Sequence, residues 1–276
     1  MRYIEEKIKV EEQNEARLKG FLLEKSSELV HSNKRPAILI CPGGAYRFLS
    51  DRESEPIALK FLAEGMHAFV LEYSVAPNRY PTALLQLANA VATIKQNAKE
   101  WLVDSNHIYL CGFSAGGHLC ASLGIKWNLN ILKNKGNHHT SLDIKPAGML
   151  LCYPVITMGD FTHTGSRNNL LGMKYTQNQV EENSLEQQIT KDTVPSFIWH
   201  TVEDEAVSVE NSLQFVCALQ RQGIPYEAHF FEKGEHGIAL ASEVTEDKPS
   251  QVISDNQVWF KMALNWLKRR WMNEYK

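Results

Sequence analysis

Short apolar runs alternate along this chain with longer segments whose apolar residues recur at helical spacing, and this alternation limits the possible folds more than any other feature. The runs lie at 37–41, 68–71, 107–111, 147–152, 196–199 and 226–231. Four of them are apolar nearly throughout, which is typical of strands that are covered on both faces. The sequence therefore predicts an α/β fold with a mostly parallel central sheet, right-handed crossovers and helices on both faces.

The helical segments carry apolar residues at offsets of three and four, which place one apolar stripe on a helix. One stripe consists of Leu84, Leu87, Ala88, Val91 and Ala92, and another consists of Trp259, Ala263, Trp266 and Leu267. The pairs Ser50 with Glu53 and Ser254 with Gln257 have the spacing of a capping box and predict two helix starts.

The length of 276 residues fits one large domain over 1–276. In a parallel sheet, ligands bind beyond the carboxyl ends of the strands, so chemistry is expected in the loops that follow strands. The stretch 154–195 is long for a loop, and long insertions at this end of a sheet often cover or line a site. We expect it to act as a cap or as a substrate-binding loop region.

Composition excludes several classes of protein. With 29 Lys plus Arg against 32 Asp plus Glu, the net charge of -3 provides no positive field for nucleic acid or an anionic membrane, so a small-molecule partner is expected. The first residues are interrupted by charges and contain no apolar stretch of the kind that a secretory signal needs. The five cysteines form no CxxC pair and lie mostly in apolar runs, which favours a reducing, cytoplasmic setting.

The segment Gly112-Phe-Ser-Ala-Gly116 lies directly after a predicted strand and before a predicted helix. So tight a strand-to-helix turn requires glycine on both sides of Ser114, which is left exposed at the apex as a candidate nucleophile. The helix that begins there favours developing negative charge. A glycine-rich turn with an incidental serine, such as a phosphate cradle, remains the alternative.

A serine nucleophile needs a histidine base, and in α/β-hydrolase topology the order along the chain is Ser, acid, His. Three late histidines are available. His200 and His229 lie within predicted strands and are expected in the core or on the sheet. His236 follows the last predicted strand in Gly234-Glu-His-Gly237, where a loop can present its imidazole, and it is the predicted base.

The acid is expected after the preceding strand, where Glu203, Asp204 and Glu205 compete. Asp204 is the predicted acid for two reasons. Its short side chain orients an imidazole firmly, and its spacing to Val207 matches the usual pattern of this loop in α/β hydrolases. Glu203 is the second choice, and Glu205 is expected to be a solvated charge.

The early loop Pro42-Gly-Gly-Ala-Tyr46 follows a predicted strand, and its paired glycines let backbone N–H groups approach a tetrahedral intermediate. Gly44, with Ala45 as the alternative, is expected to join Ala115 as an oxyanion donor. A simple Pro-Gly turn is the alternative reading of the loop when it is taken alone.

Other candidates are weaker. Tyr46 and Tyr153 are predicted to contact substrate, although large aromatic side chains more often belong to the core. His138, His139 and His163 have no neighbouring Cys or carboxylate cluster and are interpreted as loop histidines, so no metal is predicted. No nucleotide-binding motif occurs, and no cofactor is expected.

Taken together, these motifs resemble the α/β-hydrolase esterase/lipase superfamily, and within it the small bacterial esterases described as acetyl xylan esterase-like or sugar hydrolases. The resemblance is carried by 42–47, 50–53, 69–77, 112–118, 199–201 with Asp204, and 234–237. It implies the α/β-hydrolase fold, Ser114 as nucleophile, Asp204 and His236 as its partners, and hydrolysis of small acetyl esters, including those of sugars or xylo-oligosaccharides, without a cofactor.

One motif departs from the family. Hormone-sensitive-lipase-like relatives have His-Gly-Gly-Gly where this chain has Pro42-Gly-Gly-Ala45, which leaves the choice between Gly44 and Ala45 open. An amidase, an arylformamidase or a peptidase would use the same triad, and a non-catalytic binding protein is a further alternative. A homodimer is the commonest oligomer and is kept as the default expectation.

Overall fold

The computed structural model describes residues 1–11, 14–30, 32–132 and 140–272. His138 and His139 lie outside the described residues. No helix in the described ranges is long and apolar enough to cross a membrane. The cytoplasmic setting and the homodimer stay predictions.

Eight strands form one sheet in the order β1-β2-β4-β3-β5-β6-β7-β8. The strands are β1 Arg2–Glu11, β2 Asn14–Leu22, β3 Arg35–Cys41, β4 His67–Glu72, β5 Val103–Phe113, β6 Gly148–Cys152, β7 Ser196–Thr201 and β8 Tyr226–Phe231. β2 pairs antiparallel with β1 and with β4, and every other pairing is parallel. The predicted mostly parallel sheet is therefore confirmed, and the six apolar runs lie in its strands except for Ala147, which precedes β6.

In the part of the chain that the structure describes, eight α-helices pack around this sheet. They are α1 Glu55–Ala63, α2 Thr82–Gln96, α3 Ala115–Lys126, α4 Ser141–Ile144, α5 Thr164–Leu171, α6 Gln177–Asn183, α7 Glu210–Gln222 and α8 Val258–Met272. Leu39 of β3 lies in a core shared with α2, α3 and α7, while its neighbours Ile38 and Ile40 lie in a second core with α1 and α8. Since successive strand residues face opposite sides of a sheet, helices cover both faces, as predicted.

The antiparallel hairpin of β1 and β2 is absent from the sequence prediction. Its residues alternate between the core and solvent, with Ala16 and Leu18 buried and Arg17 exposed. An antiparallel edge with one wet face has this period-two pattern, without the continuous apolar run by which the parallel strands were identified.

Both predicted capping boxes are wrong. Helix α1 begins after Ser54, and Ser50 makes no side-chain cap. Residues Ser254–Gln257 form a 3-10 turn ahead of α8, and Gln257 donates to the carbonyl of Ala241. In both motifs the last residue, Glu53 or Gln257, uses its side chain for a tertiary contact and not for capping.

The stretch 154–195 runs from the end of β6 to the start of β7 and contains α5, α6 and the 3-10 turn Leu185–Gln187. It therefore begins at the carboxyl edge of the sheet, where the sequence predicts chemistry. Four cysteines are buried and free, as expected of small core residues, whereas Cys217 is exposed.

The hairpin contributes to the core, which gives the first prediction. Leu18 is fully buried, and Leu18→Ala is expected to lower the free energy of unfolding by about 2–5 kcal/mol, as for other buried leucines. Urea denaturation measures the change. Lys7→Ala, on the exposed side of the same hairpin, is the control and should change stability by less than about 0.5 kcal/mol. Equal effects of the two substitutions would mean that the hairpin is not part of the cooperative core.

Candidate active site

Ser114 lies at the apex of the turn between β5 and α3, with a φ of 51°. A β-carbon on Gly112 would stand 2.3 Å from the carbonyl oxygen of Gly116, and one on Gly116 would stand 2.0 Å from the carbonyl oxygen of Cys41. Real β-carbons do not approach other atoms so closely, so the turn requires glycine at both positions. The strained φ aims the Ser114 side chain away from the sheet.

The structure brings Ser114, His236 and Asp204 together in one hydrogen-bonded line. His236 Nε2 lies 2.8 Å from Ser114 Oγ, and His236 Nδ1 lies 2.6 Å from Asp204 Oδ2. Because the carboxylate is an acceptor, Nδ1 carries the proton and Nε2 is left to accept from the serine hydroxyl. This is the arrangement in which an imidazole can act as a base toward a serine.

Asp204 lies in the loop that follows β7, and its carboxylate is buried. Oδ1 accepts from the backbone N–H groups of Ala206, at 3.0 Å, and Val207, at 2.8 Å. Burial alone would raise the pKa of Asp204, but hydrogen bonds from His200 and His236 outweigh it and hold that pKa well below its usual range. Asp204 is therefore a fixed anion at neutral pH.

His200 is buried in β7, as predicted, and it also has a role that the sequence did not indicate. Its Nε2 lies 3.0 Å from the carbonyl oxygen of Val207 and 3.2 Å from Asp204 Oδ2, so Nε2 carries the proton. Its Nδ1 accepts from the Ser212 hydroxyl at 2.7 Å. Asp204 is therefore held by two histidines, His200 from β7 and His236 from the loop after β8. The periodicity of the sequence contains no signal for the contact with His200.

Two of the three residues predicted as oxyanion donors line a cleft next to Ser114. Gly44 and Ala45 line it together with Ser114, and within the described chain neither of their N–H groups donates a hydrogen bond. Ala115 is the first residue of α3, where an N–H has no partner in its own helix. The amide of Gly43 is not available, because it donates to Glu53 Oε2 at 2.7 Å.

The two tyrosines predicted to contact substrate do not lie on the wall of this cleft. Tyr46 is buried, and its hydroxyl bonds to His118 Nδ1 at 2.9 Å. Tyr153 is buried behind His236, with the two ring centroids 5.1 Å apart, and its hydroxyl donates to Glu53. Both assignments are corrected: the aromatic rings are occupied in packing, which is the commoner use of large aromatic residues.

The spacing of Glu53 to Ser50 predicts a capping residue, yet its carboxylate is buried next to the loop 42–46, called the oxyanion loop because it carries Gly44 and Ala45. Its neighbour Arg52 uses Nη1 to bond the carbonyl oxygens of Gly237, at 2.9 Å, and Thr245, at 3.2 Å. Two consecutive side chains therefore link the segment before α1 to the loop that carries His236. The segment 50–53 is among the motifs that carry the family resemblance, but its pattern contains no signal for these contacts.

His163 was interpreted as a lone loop histidine, but the structure places it in the cleft with Ser114 and His236. Its Nδ1 accepts from the backbone N–H of Ser166 at 3.2 Å, so the proton of the neutral ring lies on Nε2. Burial, followed by the nearby His236, lowers the pKa of His163 and keeps it neutral. Only the fold of 154–195 brings it here.

The cleft at Ser114 has a volume of about 570 Å³, and Phe48, a largely exposed aromatic side chain, lies on its wall. A second cleft of about 840 Å³ shares His236 and Asp247 with it and is lined by the carboxylates of Glu203, Glu205 and Glu235. Within the described ranges no three His, Cys, Asp or Glu side chains are placed to share a metal ion.

Comparisons with known proteins identify the proteins to which the chain is similar. Residues 27–219 match the family described as BD-FAE. The chain is similar to the acetyl ester-xyloside bifunctional hydrolase of Caldicellulosiruptor lactoaceticus, with 32% identity, a TM-score of 0.82 and 96% of each chain covered. It is also similar to the carboxylesterase Cest-2923 of Lactobacillus plantarum WCFS1, with 30% identity, a TM-score of 0.86 and 98% of each chain covered.

Among curated proteins, the chain is 38% identical over 216 residues to endo-1,4-beta-xylanase B of Butyrivibrio fibrisolvens, a match that covers 76% of this chain and 33% of that protein. The chain spans between a third and a half of the length of the curated relatives that it matches first.

The low pKa of Asp204 predicts how stability depends on pH. Because the folded pKa lies below the unfolded value of about 3.9, the carboxylate stabilises the fold above that pH, and the contribution is lost as pH falls through the folded pKa. Asp204→Asn should cost about 1–3 kcal/mol at pH 7, since buried donors lose their partner, and the cost should shrink below about pH 4.

Urea denaturation of wild type and Asp204→Asn at pH 7, 5 and 3 measures this difference, with Glu205→Gln as the control from the same loop. A cost that grows on acidification would contradict the assignment of a depressed pKa.

Proposed function

This chain belongs to the BD-FAE family of α/β hydrolases, in agreement with the resemblance of its motifs, and we propose that it is a serine carboxylic-ester hydrolase acting on small acetyl esters of sugars. The observation that carries the proposal is the pair of contacts from His236 to Ser114, at 2.8 Å, and to Asp204, at 2.6 Å. They give the serine a base that is already in the required tautomer.

In the proposed reaction, Ser114 Oγ attacks the ester carbonyl while its proton moves to His236 Nε2. The carbonyl oxygen becomes an oxyanion, and the fixed anion of Asp204 stabilises the imidazolium that forms beside it. Collapse breaks the bond to the alcohol, which leaves with the proton from Nε2. Water then adds to the acyl-enzyme by the same route and releases the acid. Each step uses only side chains, backbone amides and water.

The oxyanion is assigned to the free amides at the cleft. Ala115 is one donor, and the second comes from Gly44 or Ala45. Donors that are already oriented need not reorganise as charge develops, and each such donor is worth about 10²–10³ in rate in other enzymes. Because Gly43 is bonded to Glu53, the loop donor is one of the two residues that follow it.

The residues that line the two clefts indicate what kind of alcohol the substrate carries as its leaving group. An alcohol that takes its proton from His236 lies next to this residue, where the two clefts join. The wall of the second cleft includes several carboxylates together with Lys248 and Gln251, and these polar groups can form hydrogen bonds with hydroxyl groups. A polyol such as a sugar fits this surface, and the similar hydrolase from Caldicellulosiruptor lactoaceticus is described as acting on acetyl esters and xylosides.

The first test compares hydrolysis of p-nitrophenyl acetate, butyrate and octanoate with that of acetylated xylo-oligosaccharides. We expect activity on acetyl substrates that falls by about 10³-fold or more in Ser114→Ala, because the nucleophile is lost. Ser27→Ala, an exposed serine remote in sequence from the site, is the control. Retained activity in Ser114→Ala would exclude the serine mechanism, and activity on amides but not on esters would favour the amidase alternative.

The position of His163 in the cleft predicts that it contributes to recognition of the alcohol part of the substrate. Its Nε2–H has no partner among the described residues, so it is free to donate to an oxygen of the alcohol. His163→Ala should lower kcat/KM about 5–30-fold for acetylated xylo-oligosaccharides, the equivalent of one hydrogen bond of about 1–2 kcal/mol, and much less for p-nitrophenyl acetate. His229→Ala, which removes a half-buried histidine paired with Glu227, is the control. Equal losses on both substrates would contradict a role in recognising the alcohol.

A further inference from the structure

Glu53 is a buried carboxylate that the proposed reaction does not use. Its residue is 3% exposed, and within the described part of the chain it forms no ion pair. Removing an anion from water without a cation partner is costly, so it needs strong neutral donors. The groups that donate to Glu53 show which parts of the fold this carboxylate connects.

The two oxygens of Glu53 accept from two different loops. Oε2 accepts from the backbone N–H of Gly43 at 2.7 Å, and Oε1 accepts from the Tyr153 hydroxyl at 2.7 Å. The Tyr153 oxygen in turn accepts from the backbone N–H of Ala239 at 3.0 Å. A continuous line of three hydrogen bonds therefore runs from the oxyanion loop to the loop just after His236.

At the oxyanion end, the contact with Gly43 fixes one peptide group of the loop. The amide of Gly43 turns toward Glu53, while the following amides of Gly44 and Ala45 stay free at the cleft. Gly44 and Ala45 both have positive φ, at 125° and 56°, so the loop adopts a conformation that needs support from its surroundings.

At the histidine end, the contact passes through Tyr153. Its ring packs edge-on against that of His236, with centroids 5.1 Å apart, and edge-on against Trp199 at 5.0 Å. The backbone N–H of Tyr153 donates to the carbonyl oxygen of Trp199 at 2.7 Å, which ties the residue to β7. Tyr153 is thus held in place by β7 and contacts both the His236 ring and Glu53.

We propose that Glu53 is a positioning residue that holds the oxyanion loop and the His236 loop at a fixed separation through Gly43 and Tyr153. This inference rests on the proposed function, because the two loops carry the oxyanion donors and the base of that reaction. A carboxylate suits the task because it offers two acceptor oxygens and no donor, whereas an amide offers one oxygen and an NH₂ group that would face a second donor.

Arg52 supports the same arrangement from the adjacent position. Its guanidinium bonds the carbonyl oxygens of Gly237 and Thr245 and also Gln251 Oε1, at 3.0 Å. The segment 51–53 is therefore joined to the His236 loop by two independent side chains. This explains why a three-residue 3-10 turn lies here in place of the capped helix start that the sequence predicted.

The test compares Glu53→Gln, Tyr153→Phe and the double variant in hydrolysis of p-nitrophenyl acetate. Misplacing an oxyanion donor without removing it should cost less than the 10²–10³ of full removal, so Glu53→Gln should lower kcat about 10–10²-fold with KM changed less than about twofold. Because both side chains act in one line, the double variant should be no more than about twofold worse than the worse single variant. Glu55→Gln, an exposed glutamate in α1, is the matched control.

Outcomes separate this inference from the proposed function. No Ser114-dependent hydrolysis in wild type would reject the proposed function. With wild type active, a folded Glu53→Gln with kcat within about twofold of wild type, or single losses that multiply in the double variant, would overturn the positioning role. If Glu53→Gln does not fold, the nearly isosteric Tyr153→Phe decides alone: a lower kcat at unchanged KM supports the role, and an unchanged kcat rejects it.

Discussion

The close approach of two backbones at Gly116 is the constraint on which the candidate site depends. A β-carbon there would stand 2.0 Å from the carbonyl oxygen of Cys41, so the start of α3 touches the end of β3 directly. The same contact sets two features at once, because Ser114 lies two residues before Gly116 and the oxyanion loop begins directly after Cys41. The close contact between Gly116 and Cys41 therefore positions both the nucleophile and the loop that faces it.

Beyond the strand ends, buried carboxylates replace regular hydrogen bonding. Asp204 receives donors from Ala206, Val207, His200 and His236, and Glu53 receives donors from Gly43 and Tyr153. Loops lack the hydrogen-bond ladder that orders a strand, and an anion that needs several donors can gather them from distant segments. In this chain each carboxylate orders one half of the site, and the two halves meet at His236.

Much of the fold was predictable because its signals are local. The six apolar runs identified the parallel strands, and the stripe from Leu84 to Ala92 identified α2. The hairpin was missed because its amphipathic strands bury one face only. The capping boxes at Ser50 and Ser254 were wrong because spacing cannot show whether Glu53 or Gln257 will find a better tertiary partner. The aromatic residues Tyr46 and Tyr153 were misplaced for the same reason.

The class of fold and the grouping of Ser114, Asp204 and His236 could be predicted from sequence, because strand periodicity and a glycine-framed turn are local patterns and because each of the three residues follows a predicted strand. Only the tertiary structure decided that Gly43 is unavailable, that His163 enters the cleft, and that Glu53 joins two loops. The hydrogen bonds of Glu53 span 10 and 100 positions of the chain, and a hydrogen bond depends on distance and direction in space, neither of which sequence spacing specifies.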